Sequence, residues 1–282
     1  HRYVPVIAVI PGKIGAFGGM SITAGVCSAI IMTREGRLGL NGPEVIEQEA
    51  GIREFDSKDR PLIWSTIGGE QRKAAGFADV LIEDDTESIK EVISSIIKDD
   101  IIPVPRTEQV RRYEAFLDLV NPEQRLSSDD ARLLWAQSEN EVVEAKQVNL
   151  EGINNMGRGH TWFDLLRGDA MEIGDLSSVR VADGVIGEKK VRFIAVVPDV
   201  NNRFPRARKG EVGLQEGWSI AKYVREAIKE DQNSEKRAIV AIVDVPSQAY
   251  GYHEELLGIH QACAAAVDAY ASARLSGHPV IS

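Results

Sequence analysis

Val4-Pro-Val-Ile-Ala-Val-Ile10, Pro11-Gly-Lys-Ile-Gly-Ala-Phe-Gly-Gly19, Met20-Ser-Ile-Thr-Ala-Gly-Val-Cys-Ser28 and Ala29-Ile-Ile-Met-Thr33 follow one another without a break, and together they decide the fold. The first piece is continuously apolar and rich in β-branched residues, as a strand buried on both faces must be. The second carries four glycines in nine residues and ends the strand. The third is built of small residues able to pack closely as a helix. The fourth returns as a strand, and Arg37-Leu-Gly-Leu40 reads as a short extension of it. Strand, glycine loop, helix and strand in this order form the unit of an α/β fold with a parallel sheet.

Outward from this unit, Pro43 sits where a first helical turn tolerates proline. Further helices are predicted over Asp59–Thr66, Gly69–Gly76, Thr86–Lys98 and Glu108–Val120. From about Asn121 to Asn155 the chain turns polar, and a linker with one helix is expected, Leu133, Leu134 and Trp135 being its core-grade residues. Met156 is a natural place for a second reading frame's start to have been absorbed into a fusion. A second α/β domain follows. Val179–Val197 predicts antiparallel strands turning at Asp183-Gly184. Glu216–Lys229 predicts a helix, Ala238–Asp244 a buried strand, and Glu254–Arg274 one long helix with an apolar stripe. The domain boundaries expected are therefore 1–120, a linker over 121–157, and 158–282.

Apolar residues make up 43% and charged residues 27% of the 282 residues, ordinary for a globular protein. A net charge of -10 argues against a nucleic-acid partner, which needs basic excess to neutralise phosphates. No apolar run reaches membrane-spanning length, so a soluble, cytoplasmic protein is expected. Cys27 and Cys263 offer no paired metal spacing and read as buried thiols. No HxxxH, HExxH or GxSxG pattern occurs, and no metal is expected.

Two local strings carry chemistry. Gly18-Gly19 ahead of a helix lets backbone N–H groups approach an anion or a developing oxyanion, with Phe17 lining the loop. A tight turn without a ligand fits the same string equally well. Arg203, Arg206, Arg208 and Lys209 form the one dense basic stretch, suited to phosphates or an acidic partner, or to a solubilising loop. Glu47, Gln48 and Glu49 fit a solvated helix end, His260 a satisfied packing residue and Asp244 a loop-fixing group. Trp64, Trp135, Trp162 and Trp218 read as structural.

Val6–Ile22, Leu38–Gly51 and Gly68-Gly-Glu-Gln-Arg-Lys-Ala-Ala-Gly-Phe-Ala-Asp79 resemble the beta subunit of biotin-independent malonate decarboxylase. Asp199–Trp218, Val243-Asp-Val-Pro-Ser-Gln-Ala-Tyr-Gly251 and Glu255-Leu-Leu-Gly-Ile-His260 resemble its gamma subunit. The resemblance implies two partial crotonase-like domains of the ββα superhelix type, fused through the linker. It implies decarboxylation of malonyl-S-acyl carrier protein through a thioester enolate whose oxygen is held by backbone N–H groups. The donors expected are Gly18 and Gly19 in the beta-like half, with Gly213 a further donor in the gamma-like half. Phe17, Arg203, Arg206, Arg208 and Lys209 are expected to contact the substrate or its arm.

No cofactor bound by this chain is implied, and no biotin; a CoA-like prosthetic group comes with the acyl carrier protein. That carrier and the acyl-transferase alpha subunit are the implied partners, with further beta or gamma copies. A carboxyltransferase subunit of a biotin-dependent acyl-CoA carboxylase is the competing enzyme. The chain opens on an apolar strand without Met and closes on another, as a piece cut from something longer would. An inactive interaction scaffold is therefore a third expectation, with the gamma-like glycine loop falling just beyond Ser282.

Overall fold

The computed structural model describes residues 4–12, 14–98, 104–141 and 159–282. In chain order the elements are β1 (Ile7–Ile10), α1 (Gly19–Gly25), β2 (Ala29–Thr33), α2 (Pro43–Ala50), α3 (Arg60–Ile67) and α4 (Gly69–Ala74). Then come β3 (Val80–Ile82), α5 (Thr86–Lys98), α6 (Val110–Leu119), α7 (Ser128–Gln137), α8 (His160–Arg167), β4 (Met171–Glu172) and β5 (Val179–Ile186). The rest are β6 (Lys189–Val196), α9 (Leu214–Glu230), β7 (Ala238–Ile242), α10 (Tyr252–Leu256), α11 (Ile259–Leu275) and β8 (Val280–Ile281). The architecture is mixed α/β.

Two compact units divide the chain discontinuously. The first comprises 1–141 and 250–264, the second 142–249 and 265–282. Residues 250–264 thus join the first unit, where chain order alone places them in the second domain. The described part of the expected linker, 121–141, also belongs to the first unit and carries α7. Its physical reason is Trp135, which stacks on Phe77 and packs against Tyr113 and the edge of Phe116, while Arg132 donates to Gln71 at 2.6 Å. The remainder of that linker, Met156 included, lies outside the described residues.

In the first unit β1, β2 and β3 form a parallel sheet in that order. Central β2 is buried throughout, and Ile30, Ile31 and Met32 have no exposed surface. Burying each such side chain contributes roughly 1.5–3 kcal/mol, an upper estimate because the unfolded chain is itself partly compact. The parallel unit read from residues 4–33 is present. Helix α3 begins where Asp59 accepts the Leu62 N–H at 3.0 Å, with Pro61 in its first turn.

In the second unit the sheet order is β4-β5-β6-β7-β8. Strands β4, β5 and β6 pair antiparallel, and β7 and β8 continue in parallel. The hairpin turns at Gly187-Glu188, four residues beyond the expected Asp183-Gly184. Asp183 stays in the ladder opposite Arg192, whose Nε and Nη2 each donate to its carboxylate at 2.7 Å. Gly184 is in the strand because a Cβ there would come within 2.7 Å of Ala170 Cβ. The long helix expected from Glu254 to Arg274 is broken into α10 and α11 at Gly258. This glycine has φ +84°, and a Cβ on it would lie 2.2 Å from the Phe77 ring.

Candidate active site

The Gly18-Gly19 loop connects β1 to α1 along a short strand-like pairing. Ala16 N–H donates to Arg37 O at 2.8 Å, and Gly39 N–H donates back to Ala16 O at 3.1 Å. Gly18 then donates its own N–H to Leu40 O at 2.8 Å. It adopts φ 55°, ψ -135°, a conformation that only glycine holds without strain. Gly18 is therefore not an available donor, which corrects the expectation for it. Gly19 has no acceptor for its N–H among the described residues. A Cβ built on either glycine meets nothing within 4 Å among the described residues, which leaves open space beside the loop. Phe17 is half-buried, packs against the core that contains Ile46 and Ile63, and has the Arg37 guanidinium over its ring at 5.8 Å.

The segment that receives Gly18 is held from the other side by groups distant in sequence. Glu255, with no exposure, accepts Leu40 N–H at 3.0 Å, Asn41 N–H at 2.6 Å and Asn41 Nδ2 at 2.9 Å. Arg72, also fully buried, donates through Nε to Leu38 O at 2.7 Å and through Nη1 to Glu255 O at 2.8 Å. Its Nη2 lies 3.7 Å from the Glu255 carboxylate. Burial pulls the Arg72 guanidinium down to about 10, against the pull of Glu255, and leaves it charged at neutral pH. Burial pushes the Glu255 carboxyl up, opposed by Arg72 and by the N–H groups of Leu40 and Asn41. Its oxygens face donors only, so the ionised form is the one that satisfies this site. Neither residue was singled out by the sequence. The only signal was that each falls within a family-like string, Arg72 in Gly68–Asp79 and Glu255 in Glu255–His260, the latter 215 positions from its partner Leu40.

In the second unit the outcome for Gly213 is a correction. Its N–H donates to Glu216 Oε2 at 3.1 Å, the carboxylate half of a capping box that starts α9. A Cβ on Gly213 would lie 2.6 Å from that same oxygen. Glu216 is fully buried and also accepts from Ser178 Oγ at 2.5 Å and Asn202 Nδ2 at 2.8 Å. Burial pushes its carboxyl up while these donors oppose the shift. The basic stretch is a loop shaped from within: Asp199 N–H donates to Arg208 O at 3.1 Å, and Arg208 Nε donates to Asn202 O at 2.9 Å. Arg203 lies 5.7 Å from the Phe204 ring centroid. Lys209 is exposed, and Arg203, Arg206 and Arg208 are half-buried. The glycine loop belongs to the first unit and the basic loop to the second.

Other expectations resolve locally. Glu47 accepts the Ser57 N–H at 2.7 Å and so fixes the turn after α2. His260 packs edge-on to Phe77 at 5.5 Å, but neither ring nitrogen has a partner among the described residues. It is packed rather than satisfied; burial, with Arg72 and Arg106 nearby, holds its pKa well below the usual range and keeps it neutral. No cluster of metal-binding side chains occurs among the described residues, and no described helix is long and apolar enough to cross a membrane.

The family model of the malonate decarboxylase gamma subunit matches residues 207–282. The malonyl-S-ACP:biotin-protein carboxyltransferase MADC of Malonomonas rubra is 36% identical over 145 residues, 50% of this chain and 46% of that protein. MADD of the same organism is 37% identical over 115 residues, 39% of each. Over these parts the chain is similar to malonate decarboxylase subunits of the beta and gamma type. It spans less than half the length of both Malonomonas relatives. Among solved structures, the Pseudomonas malonate decarboxylase MdcD-MdcE hetero-dimer is 61% identical with a TM-score of 0.42, covering 44% of this chain and 49% of that one. A Pseudomonas malonate decarboxylase hetero-tetramer in complex with malonate is 47% identical with a TM-score of 0.46, covering 47% and 48%.

Proposed function

We propose that this malonate decarboxylase-like chain serves in decarboxylating malonyl-S-acyl carrier protein to acetyl-S-acyl carrier protein and CO2, on domains of the crotonase type. The observation that carries the reading is the Gly19 N–H, which no described acceptor uses, beside open space on a loop held rigidly by Leu40. In the reaction the bond between Cα and the free carboxylate breaks, and its electron pair moves into the thioester. CO2 leaves, the thioester oxygen becomes an enolate oxygen, and a proton then adds at Cα. A fixed N–H beside that oxygen stabilises charge only as it develops, which lowers the barrier rather than merely tightening binding. The helix α1 has seven residues, so the argument rests on this N–H and not on a helix dipole.

Phe17 lines the acyl side of the loop in this reading. Arg203, Arg206, Arg208 and Lys209 meet the phosphates of the carrier's CoA-like arm or the acidic carrier itself. The partners are the acyl carrier protein and the acyl-transferase alpha subunit.

A second reading is favoured by the names of the Malonomonas relatives, which are malonyl-S-ACP:biotin-protein carboxyltransferases. There the same enolate forms, but the carboxyl group passes to biotin instead of leaving as CO2. The complex reassembled with its other subunits distinguishes the two when fed malonyl thioester labelled in the free carboxyl. Label released as CO2 despite excess avidin supports decarboxylation; label captured on a biotin protein and abolished by avidin supports transfer. Gly19→Pro tests the donor in either case. Proline is tolerated at a first helical position, so the substitution removes the N–H and little else. A fall in kcat of about 10²–10³-fold is expected, and unchanged turnover would remove Gly19 from the mechanism.

A further inference from the structure

Glu255 and Arg72 are a charged pair with no solvent exposure whose bonds converge on one four-residue segment, Leu38–Asn41. Buried charges are costly, and a pair of apolar residues would hold the core at least as well. What the pair does that apolar residues cannot is fix that segment's backbone by direction. Glu255 takes the N–H groups of Leu40 and Asn41, while Arg72 takes the Leu38 carbonyl. The Leu40 carbonyl in turn takes the Gly18 N–H, and Gly19 is the next residue. The approach is so close that a Cβ on Gly39 would lie 2.8 Å from Glu255 Oε2.

We propose that Glu255, seconded by Arg72, is the positioning residue of the glycine loop: it holds Leu38–Asn41 so that Gly18 is locked and the Gly19 N–H points at the reacting thioester oxygen. The inference rests on the donor role proposed above for Gly19. Glu255 itself touches neither substrate nor the reacting atoms in this scheme. Misplacing a catalytic group by about 1 Å can cost 10²-fold in rate, so the link predicts a loss in kcat rather than in binding.

The test uses the assembled complex. Glu255→Gln keeps the shape but turns an NH2 toward one of the two backbone N–H groups and removes the charge beside Arg72. The expected result is a fall in kcat of about 10–100-fold with KM changed less than about two-fold. A bound thioester analogue should also lose part of the downward shift of its carbonyl stretch. Asn41→Ala, which removes the side-chain bond to Oε1 and keeps both carboxylate oxygens, should give a smaller change in the same two readouts and decides the matter if Glu255→Gln does not fold. Tyr252→Phe is the control for stability alone. It lies on the same helix α10 and loses its bond to Leu126 O at 2.9 Å, so it should lower the melting point but leave kcat and the carbonyl stretch unchanged. If Glu255→Gln and Asn41→Ala both keep kcat and the carbonyl shift while Gly19→Pro is inactive, this inference fails and the donor stands. Full activity of Gly19→Pro overturns both.

Discussion

Three carboxylates with little or no exposure, Asp231, Glu216 and Glu255, show that a buried carboxyl's partners decide which way its pKa moves. Glu216 and Glu255 are held by neutral donors or by a distant guanidinium, and burial raises both. Asp231 is different because Arg237 grips it with both Nε and Nη2 at 2.8 Å and adds its backbone N–H at 3.0 Å. Burial works to raise Asp231, but these bonds outweigh it and carry the carboxyl down to about 2. A carboxyl lowered on folding stabilises the folded state above its unfolded pKa, and that stabilisation disappears as pH falls from about 4 towards 2. The contribution at neutral pH is roughly 2 kcal/mol. Asp231→Asn should therefore be less stable by about that amount at pH 7 in urea titrations. The gap should close as the pH is lowered through the same window. A gap that stays constant down to about pH 2 would show that the Arg237 contact does not set the titration.

At the scale of elements, α10 and α11 end and begin where they do because of one glycine. Gly258 combines a left-handed φ of +84° with contact against the Phe77 ring, where any side chain would overlap. Gly258→Ala has to strain the backbone by about 1–3 kcal/mol and displace a ring in a packed aromatic cluster, at a further 1–3 kcal/mol. Loss of about 2–5 kcal/mol in denaturant unfolding is expected, and a value below about 0.5 kcal/mol would mean the break has another cause. The apolar stripe across 254–274 was visible in the sequence, but the break was not, since it depends on where Phe77 comes to lie. The hairpin turn was misplaced for a related reason. Asp183-Gly184 has turn-forming composition, yet Asp183 finds Arg192 across the ladder and Gly184 finds Ala170, and neither contact is local. Where local pattern suffices, as in α5 over Thr86–Lys98 or buried β2, the expected boundaries and the observed ones agree.

For the whole molecule the lesson lies in residues 250–264, which are late in the chain and belong to the first compact unit. The glycine loop was legible as a site because its composition is local. Its support was not, because Glu255 reaches Leu40 across 215 positions and no spacing rule announces such a contact. This separation has a consequence for folding. A chain ending at residue 141 would keep all three parallel strands but lose Tyr252 and Leu256 from the core around Phe55 and Ile67. Burial of Leu256 alone contributes roughly 1.5–3 kcal/mol. Arg72 would be left buried without Glu255, and removing one partner of a buried pair costs about 3–5 kcal/mol. Together these losses approach the 5–15 kcal/mol that stabilises an ordinary domain. The 1–141 chain should therefore give no cooperative thermal transition in circular dichroism, while the 282-residue chain does. A sigmoidal melt for the shorter chain near the midpoint of the full one would mean that the first unit is self-sufficient, and that Glu255 and Arg72 contribute nothing its core depends on.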